Sequence, residues 1–291
     1  MNQKKKKIQL YGGLGNQLFI WSAAHALQYR FQNPVRLFYT RDKNSRLDRK
    51  IAVDQLLIFC SHEIDIAQDN YSGFKLRLID WLAMKSRNIH FLFQKFYGVV
   101  DIDFSNIASS HSFFAKIIRG NFENNELVEA QHEILIQEIR CLLELKIDKL
   151  KKLHNFDFSQ QYQAVHIRRG DRKFHTSHGN LSYHYYRKLI RGNYPLVILT
   201  DDDDEIDRIS KELSPGAVIF GSEIDAWDAL TIMAFSNVLT MANSTLSWWG
   251  GYFCQANGGE VDFPSPWAKN FQSTTEQLLM NRMNICQSEF E

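Results

Sequence analysis

The stretch QAVHIRRGD, residues 163–171, is a short apolar run that ends in two arginines, a glycine and an aspartate. Its length and composition predict a buried strand, and the charged residues mark where that strand ends. Towards residue 263, further apolar runs alternate with helical periodicity. Strands are predicted at 163–167, 196–200, 217–220, 238–241 and 261–263, and helices at 182–191, 204–213, 225–235 and 244–255. Alternating strands and helices indicate a parallel sheet in an α/β fold.

The first half opens on a similar unit. Residues 8–11 predict a short strand, the glycine-rich turn GGLGNQ follows at 12–17, and residues 16–31 have helical periodicity. We also predict a strand at 35–39 and helices at 75–96 and 127–153. A chain of 291 residues favours two domains, and we place the boundary between residues 157 and 158.

Composition narrows the classes of function. The chain carries 34 basic and 33 acidic residues, which argues against a dedicated nucleic-acid-binding protein. No apolar run is long enough to span a membrane. The lysines at 4–7 either contact anionic lipid or form a solvated tail, and no apolar run follows them as in a signal peptide. Four cysteines without metal-site spacing are typical of unpaired thiols, so we expect a cytoplasmic protein.

Two predicted strand ends carry residues suited to an anion. In parallel α/β sheets, ligands bind outside the carboxyl ends of the strands. Neighbours in an extended segment point to opposite sides, so one of Arg168 and Arg169 should face a ligand while the other braces the site. Arginine suits phosphate oxygens, and Asp171 could orient an arginine or act on a proton. A surface ion pair is the alternative.

The predicted helix at 244–255 begins with Asn243, Ser244 and Thr245. Such residues cap helices, and a helix N-terminus also attracts anions. Beside the arginines, we favour a phosphate site. The turn at 12–17 lacks the further glycine of a dinucleotide fingerprint, since Leu18 stands there, but it could present Asn16 to a partner.

Other polar residues leave alternatives open. The acidic run 201–205 could hold Mg²⁺, yet acidic residues also favour a helix N-terminus, and we expect no metal because arginine supplies positive charge. Asp228 could accept the paired N–H donors of guanine or be a solvated helix residue. His166, His175 and His178 could act as a base or be polar packing.

The order and spacing of four motifs resemble the α-1,2-fucosyltransferases, in particular the bacterial O-antigen type of glycosyltransferase family 11. The motifs are GGLGNQ at 12–17, HIRRGD at 166–171, TDD at 200–202 and NSTLSWWG at 243–250, with FPSPW at 263–267 also in pattern. The resemblance implies a GT-B-like α/β fold with two Rossmann-like domains. Residues 1–157 would form the acceptor-side domain and residues 158–291 the GDP-fucose-binding domain.

The implied reaction is an inverting, metal-independent transfer of L-fucose from GDP-β-L-fucose to the 2-hydroxyl of a galactose-type acceptor. The acceptor would belong to a glycan such as O-antigen and could be lipid-linked. No cofactor is implied, because GDP-fucose is a co-substrate. The enzyme would be cytoplasmic, with at most peripheral contact with the inner face of the membrane. The alternatives are a fucosyltransferase of another linkage and a non-catalytic GDP-sugar- or glycan-binding protein.

The resemblance also implies roles for residues. Arg169 would bind the pyrophosphate, Asn16 would approach it from the other domain, Ser244 and Thr245 would hold phosphate, and His166 and Asp228 would face the guanosine. The implied catalytic residues are Arg169, Asp171 and Asn16. The implied donor-binding residues are Gly15, Asn16, His166, Arg168, Arg169, Asp201, Asp228, Asn243, Ser244 and Thr245. The base stays open between Asp171, His175, His178 and none.

Overall fold

The computed structural model describes residues 5–32, 34–40, 51–60, 64–85, 87–101, 115–154, 156–170, 178–214, 216–270 and 273–291. The chain divides into two compact units, Met1–Ile139 and Arg140–Glu291. The division falls inside one long helix, His132–His154. The domain boundary expected between 157 and 158 lies just beyond that helix and stays a prediction.

The first unit has a five-stranded sheet in which every pairing is parallel, in the order β3-β2-β1-β5-β4. Its elements are β1 Lys6–Gln9, α1 Leu14–Phe31, β2 Val35–Tyr39, a 3₁₀ turn Val53–Ile58, β3 Ile64–Gln68, α2 Asn70–Lys85, α3 Arg87–Tyr97, β4 Val99–Asp101, β5 Ile117–Arg119, α4 Asn125–Glu129 and the start of α5, His132–His154.

Lys6 and Lys7 belong to this sheet rather than to a solvated tail, so the expectation of a tail is wrong for these two residues. Strand β1 begins at Lys6, whose side chain is buried and donates to the carbonyl of Ala115 at 3.3 Å. The Nζ atom of Lys7 donates to Asp69 at 2.5 Å, and that of Lys5 donates to Asp65 at 3.2 Å. These carboxylates neutralise charge that the sequence alone leaves unpaired.

The second unit has a six-stranded, wholly parallel sheet in the order β11-β10-β9-β6-β7-β8. Its elements are β6 Gln163–Ile167, α6 Tyr183–Leu189, β7 Leu196–Thr200, a 3₁₀ turn Asp203–Glu205, α7 Ile206–Leu213, β8 Val218–Phe220, α8 Ala226–Ala234, β9 Val238–Thr240, α9 Thr245–Ala256, β10 Glu260–Ser265, α10 Ser273–Leu278 and β11 Asn284–Gln287.

Strands β6 and β7 are buried along their whole length, as expected of parallel strands covered on both faces. The chain therefore contains the two parallel-sheet α/β units of the predicted GT-B-like fold class. Strands β3, β4, β5 and β11 were not among the predicted strands. Among the helices that the structure describes, none has the length and apolar character needed to cross a bilayer.

Candidate functional site

The topology of the second unit puts its switch point between β6 and β9. From β6 the chain moves to β7 and β8, and then it returns to place β9 on the other side of β6. The connections after β6 and β9 therefore diverge, and the crevice outside the carboxyl ends at such a switch point is where open α/β sheets bind ligands. Arg168 follows β6, and residues 241–244 join β9 to α9.

Asp201, at the end of β7, fixes the turn that follows β6. Its Oδ1 atom accepts hydrogen bonds from the backbone amides of Arg169 at 2.8 Å and Gly170 at 3.0 Å. Its Oδ2 atom lies 2.8 Å from Nη1 of Arg168. A Cβ atom on Gly170 would lie 2.7 Å from that Oδ2, so only glycine fits without displacement. In this structure Asp201, a predicted donor-binding residue, supports the arginine turn.

The two arginines take different partners. The side chain of Arg169 is buried, and its two Nη atoms donate to the carboxylate of Glu291 at 2.6 and 2.9 Å. Its guanidinium carbon lies 4.3 Å from the centre of the Tyr183 ring. Burial lowers the pKa of Arg169, but the hydrogen bonds with Glu291 and the electrostatic effects of Glu291, Tyr183 and Tyr186 together outweigh it and raise the pKa. Arg169 thus remains a cation, and its side chain is more deeply buried than that of Arg168.

The turn after β9 is held by a side chain of the helix that follows it. Ser247 Oγ accepts from the amide of Ala242 at 3.0 Å, and Ser244 is the N-cap of α9, with no side-chain capping bond. The first-turn amides of a helix have no intrahelical acceptor, and the dipole favours an anion there. Ser244 and Thr245 therefore begin a helix whose N-terminus follows β9, the strand that pairs with β6.

Asn243 holds the far end of the connection that leaves β6. Its buried Nδ2 donates to the carbonyls of His178 and Gly179, both at 3.2 Å. The amide of Lys269 also donates to the His178 carbonyl, at 3.1 Å. Asn243 thus fixes this connection beside the N-terminus of α9. Of the three candidate bases, His178 is exposed, while Asp171 and His175 lie outside the described residues.

The C-terminal residues complete this side of the unit, and the sequence interpretation missed them. The amide of Ser182 donates to the Glu289 carbonyl at 2.7 Å, and the amide of Glu291 donates to the Asn180 carbonyl at 3.0 Å. Tyr183, also missed, stacks on Arg169 and donates to Glu205 at 2.6 Å. The aromatic run YHYY at 183–186 is the only signal that could have suggested a stacking partner for an arginine.

The residues assigned to guanosine lie in the same unit but have structural partners. His166 is buried within β6. Asp228 is buried at the first turn of α8 and forms a capping box with Asp225. Lys149 donates to Asp228 Oδ2 at 2.5 Å, and Lys146 lies 3.7 Å from Oδ1. The alternative of a solvated aspartate is therefore wrong.

The acidic run makes local contacts. Asp203 accepts from the amide of Ser222 at 2.8 Å, and Asp202 donates its amide to Thr200 Oγ1 at 3.2 Å. Among the His, Cys, Asp and Glu side chains in the described part of the chain, one group of three lies close enough to share a metal ion. It consists of His25, Cys60 and Glu138 in the first unit. The acidic run does not belong to it.

Gly15 and Asn16 lie in the first unit, in the first turn of α1. Gly12 has φ +74°, and a Cβ atom there would lie 2.8 Å from the side-chain Nδ2 atom of Asn16. This turn therefore needs glycine. Gln17 secures it by donating to the Gly12 carbonyl at 3.0 Å and accepting from the Ala52 amide at 2.9 Å. The turn follows β1, where the strand order of the first sheet reverses.

No protein-family profile matches the chain. It is 25% identical over 282 residues to an α-1,2-colitosyltransferase of Escherichia coli, covering 89% of this chain and 91% of that protein. It is 22% identical over 292 residues to the O-antigen biosynthesis glycosyltransferase WbnK of Escherichia coli, covering 89% and 93%. Among solved structures, the fucosyltransferase NodZ from Bradyrhizobium aligns with 13% identity and a TM-score of 0.45, over 85% and 93% of the two chains. The sequence relatives support a glycosyltransferase that uses a nucleotide-sugar donor.

Proposed function

We propose that this chain is an inverting glycosyltransferase that transfers L-fucose from GDP-β-L-fucose to the 2-hydroxyl of a galactose-type acceptor without a metal ion. The observation that carries the proposal is the switch point of the second unit. There the turn bearing Arg168 and Arg169 follows β6, and α9, which starts at Thr245, follows the paired strand β9. Positive side chains and a helix N-terminus at one crevice suit a pyrophosphate.

The proposed reaction is a single displacement. The acceptor oxygen attacks the anomeric carbon while the bond from that carbon to GDP breaks, and the hydroxyl proton passes to a base or to a phosphate oxygen. Negative charge grows on the leaving phosphate, which the arginines and the first-turn amides of α9 stabilise. One such preorganised donor contributes about 3–4 kcal/mol. The proposed acceptor belongs to a glycan such as O-antigen, and this glycan could be lipid-linked. Transfer would then take place at the cytoplasmic face of the membrane.

Arg169 can meet the pyrophosphate only if phosphate replaces the carboxylate that now binds it. Glu291 occupies both Nη atoms in the bidentate geometry that a phosphate would use. Arg168 is partly exposed and is paired with Asp201 through one Nη atom, so it could bind phosphate without displacing Glu291. Arg168 is therefore proposed as the first contact and Arg169 as the residue that either joins it or braces it.

A second donor is favoured by one observation, the similarity to an α-1,2-colitosyltransferase along 89% of this chain. Colitose is fucose without its 3-hydroxyl, so the two donors share the GDP group and the same anomeric chemistry. A fucosyl or colitosyl transfer differs only in the contacts made with that hydroxyl. A fucosyltransferase of another linkage and a non-catalytic GDP-sugar-binding protein remain the competing hypotheses.

The test is GDP release with GDP-fucose or GDP-colitose, a panel of β-galactosyl disaccharides, and EDTA present or absent. Disaccharide-dependent release that survives EDTA supports the proposal and identifies donor and acceptor. Arg168→Ala should reduce release, whereas Arg187→Ala, an exposed arginine paired with Glu212, should not. Tight donor binding without release under any condition would favour a binding protein. No binding of either donor would refute the proposal.

A further inference from the structure

Helices α2 and α3 of the first unit leave an unusual amount of apolar surface exposed. More than half of the large apolar side chains that are exposed in the described chain belong to residues 70–97, which are under a tenth of the sequence. In α2 they include Tyr71, Phe74 and Trp81, and in α3 they include Ile89, Leu92 and Phe96. A contiguous exposed patch marks an interaction site, whereas scattered single residues do not.

The exposed side chains form one stripe on each helix. In α2, Phe74 follows Tyr71 by three residues and Trp81 follows Phe74 by seven, so the three share a helical face. In α3, Ile89, Leu92 and Phe96 have the spacing i, i+3, i+7 and also share a face. Both helices also pack on one core cluster. Helix α2 does so through Leu76 and Ile79, on the face opposite its stripe, and α3 through the partly buried Phe93 and Tyr97, on the face beside its stripe. Each helix therefore buries one side against the same core and leaves its stripe exposed. We call the two stripes together the α2–α3 face.

Basic residues accompany these aromatic rings. Residues 70–97 contain five basic residues and one acidic residue, although the whole chain is nearly neutral. The one acidic residue, Asp80, is paired with Arg119 at 2.7 Å. Lys75 Nζ lies 4.1 Å from the centre of the Tyr71 ring, and Lys85 Nζ lies 5.8 Å from that of Trp81. An excess of positive charge thus accompanies the exposed apolar surface of α2 and α3.

We propose that the α2–α3 face docks on the surface of an anionic lipid bilayer. Aromatic and aliphatic side chains with lysines around them match the boundary between headgroups and acyl chains, where Trp and Tyr are enriched and Lys pairs with anionic headgroups. A second copy of this chain fits less well, because a two-fold interface through this face would bring two positive surfaces together. The proposal concerns binding alone and does not depend on the proposed reaction.

The first test is co-sedimentation of the full chain with vesicles of phosphatidylcholine or of phosphatidylcholine mixed with phosphatidylglycerol. We expect binding to the anionic vesicles, and Lys85→Glu with Lys95→Glu should weaken it by at least about tenfold, since each basic residue near an anionic surface is worth about fivefold. Leu92→Ser with Phe96→Ser should also weaken it. The matched control is Leu145→Ser with Leu153→Ser, which changes two exposed leucines of α5.

Trp81 provides a second measurement that needs no destabilising variant. It is 51% exposed, while the other five tryptophans of the chain are buried. Anionic vesicles should shift the tryptophan emission to shorter wavelength. Trp81→Phe should abolish the shift.

Three results would overturn the proposal. They are absence of binding to anionic vesicles, equal binding to neutral and anionic vesicles, and a dimer in solution that Leu92→Ser with Phe96→Ser dissociates. The last result would assign the face to a second copy of the chain. Because none of these measurements requires turnover, failure here leaves the transferase proposal intact, and failure of GDP release leaves this one intact.

Discussion

The turns after the first strand of each unit occupy equivalent places and differ in charge. In the first unit the turn after β1 is secured by neutral groups, the Gln17 carboxamide and the Gly12 carbonyl. In the second unit the turn after β6 is secured by a carboxylate, Asp201, and carries Arg168 and Arg169. The difference in charge favours the second turn over the first for the proposed diphosphate, because only the second turn carries cationic side chains.

The largest effect should come from removing charge at the second turn. Arg169→Ala is expected to lower kcat by about 100–1000-fold, because one preorganised cation near a leaving phosphate contributes about that much. Steady-state GDP release measures it, with Arg187→Ala as the control. Near-normal turnover would remove Arg169 from the mechanism.

Glu291→Ala then separates direct phosphate binding from bracing. If Arg169 binds the pyrophosphate, removing its competing carboxylate should preserve kcat and leave the donor KM equal or lower. If Arg169 only fixes residues 288–291, Glu291→Ala should lose as much activity as Arg169→Ala. The same pair of variants, compared by thermal unfolding, shows how much of each loss is structural.

Buried polar contacts of the first unit should matter for stability rather than turnover. Glu138 Oε2 accepts from Trp21 Nε1 and lies within hydrogen-bond distance of His25 Nε2, both at 2.9 Å, and all three side chains are buried. Glu138→Ala should lower the free energy of unfolding by about 1–3 kcal/mol, because polar partners stay buried and unpaired. Urea denaturation measures this. Glu144→Ala, at an exposed pair with Arg140, should change it by under about 0.5 kcal/mol.

The glycines of the two turns should be sensitive for different reasons. Gly12→Ala places a side chain at positive φ, which costs about 1–2 kcal/mol. Gly170→Ala drives a methyl group into Asp201 and should cost about 1–3 kcal/mol and raise the donor KM. Gly192→Ala, with open space around it, is the control. An unchanged donor KM in Gly170→Ala would show that the Asp201 contact does not position the arginines.

The smallest effect is a pH dependence in the first unit. Bonds from Lys7 and Ser72 outweigh burial and lower the pKa of Asp69 from 3.8 to about 2. A carboxyl whose pKa is lower in the folded state adds stability above its unfolded pKa, and that stability is lost as pH falls from about 4 towards 2. Asp69→Asn should flatten the unfolding free energy over that range. An unchanged slope would contradict the assignment.

Strands β6 and β7 of the second unit could be predicted because they are buried along their whole length and are mostly apolar. Strand β11, Asn284–Gln287, has no fully buried residue, and β3 has one, so their sequences carry no comparable pattern. Their positions come from pairing with β10 and β2, which are distant in sequence.

Candidate site residues could be predicted where they come directly after a strand that its apolar sequence predicts, as Arg168 and Asn243 do. Their partners could not, since Glu291 lies 122 positions from Arg169 and becomes its neighbour only through the fold. Periodicity reports the environment of one element, whereas an ion pair between distant segments depends on how the elements assemble.

The contacts of Asn243 with His178 and Gly179 also bear on how this fold can vary. The connection after β6 is fixed at Gly170 by Asp201 and again at residues 178–179 by Asn243. Between two fixed ends, doubling the length of a connection costs only about 0.6 kcal/mol of closure entropy. Insertions between residues 170 and 178 should therefore leave Asp201 and Asn243 in place, so that chains with this scaffold could differ in the length of this connection while keeping the ends of β6 and β9 unchanged.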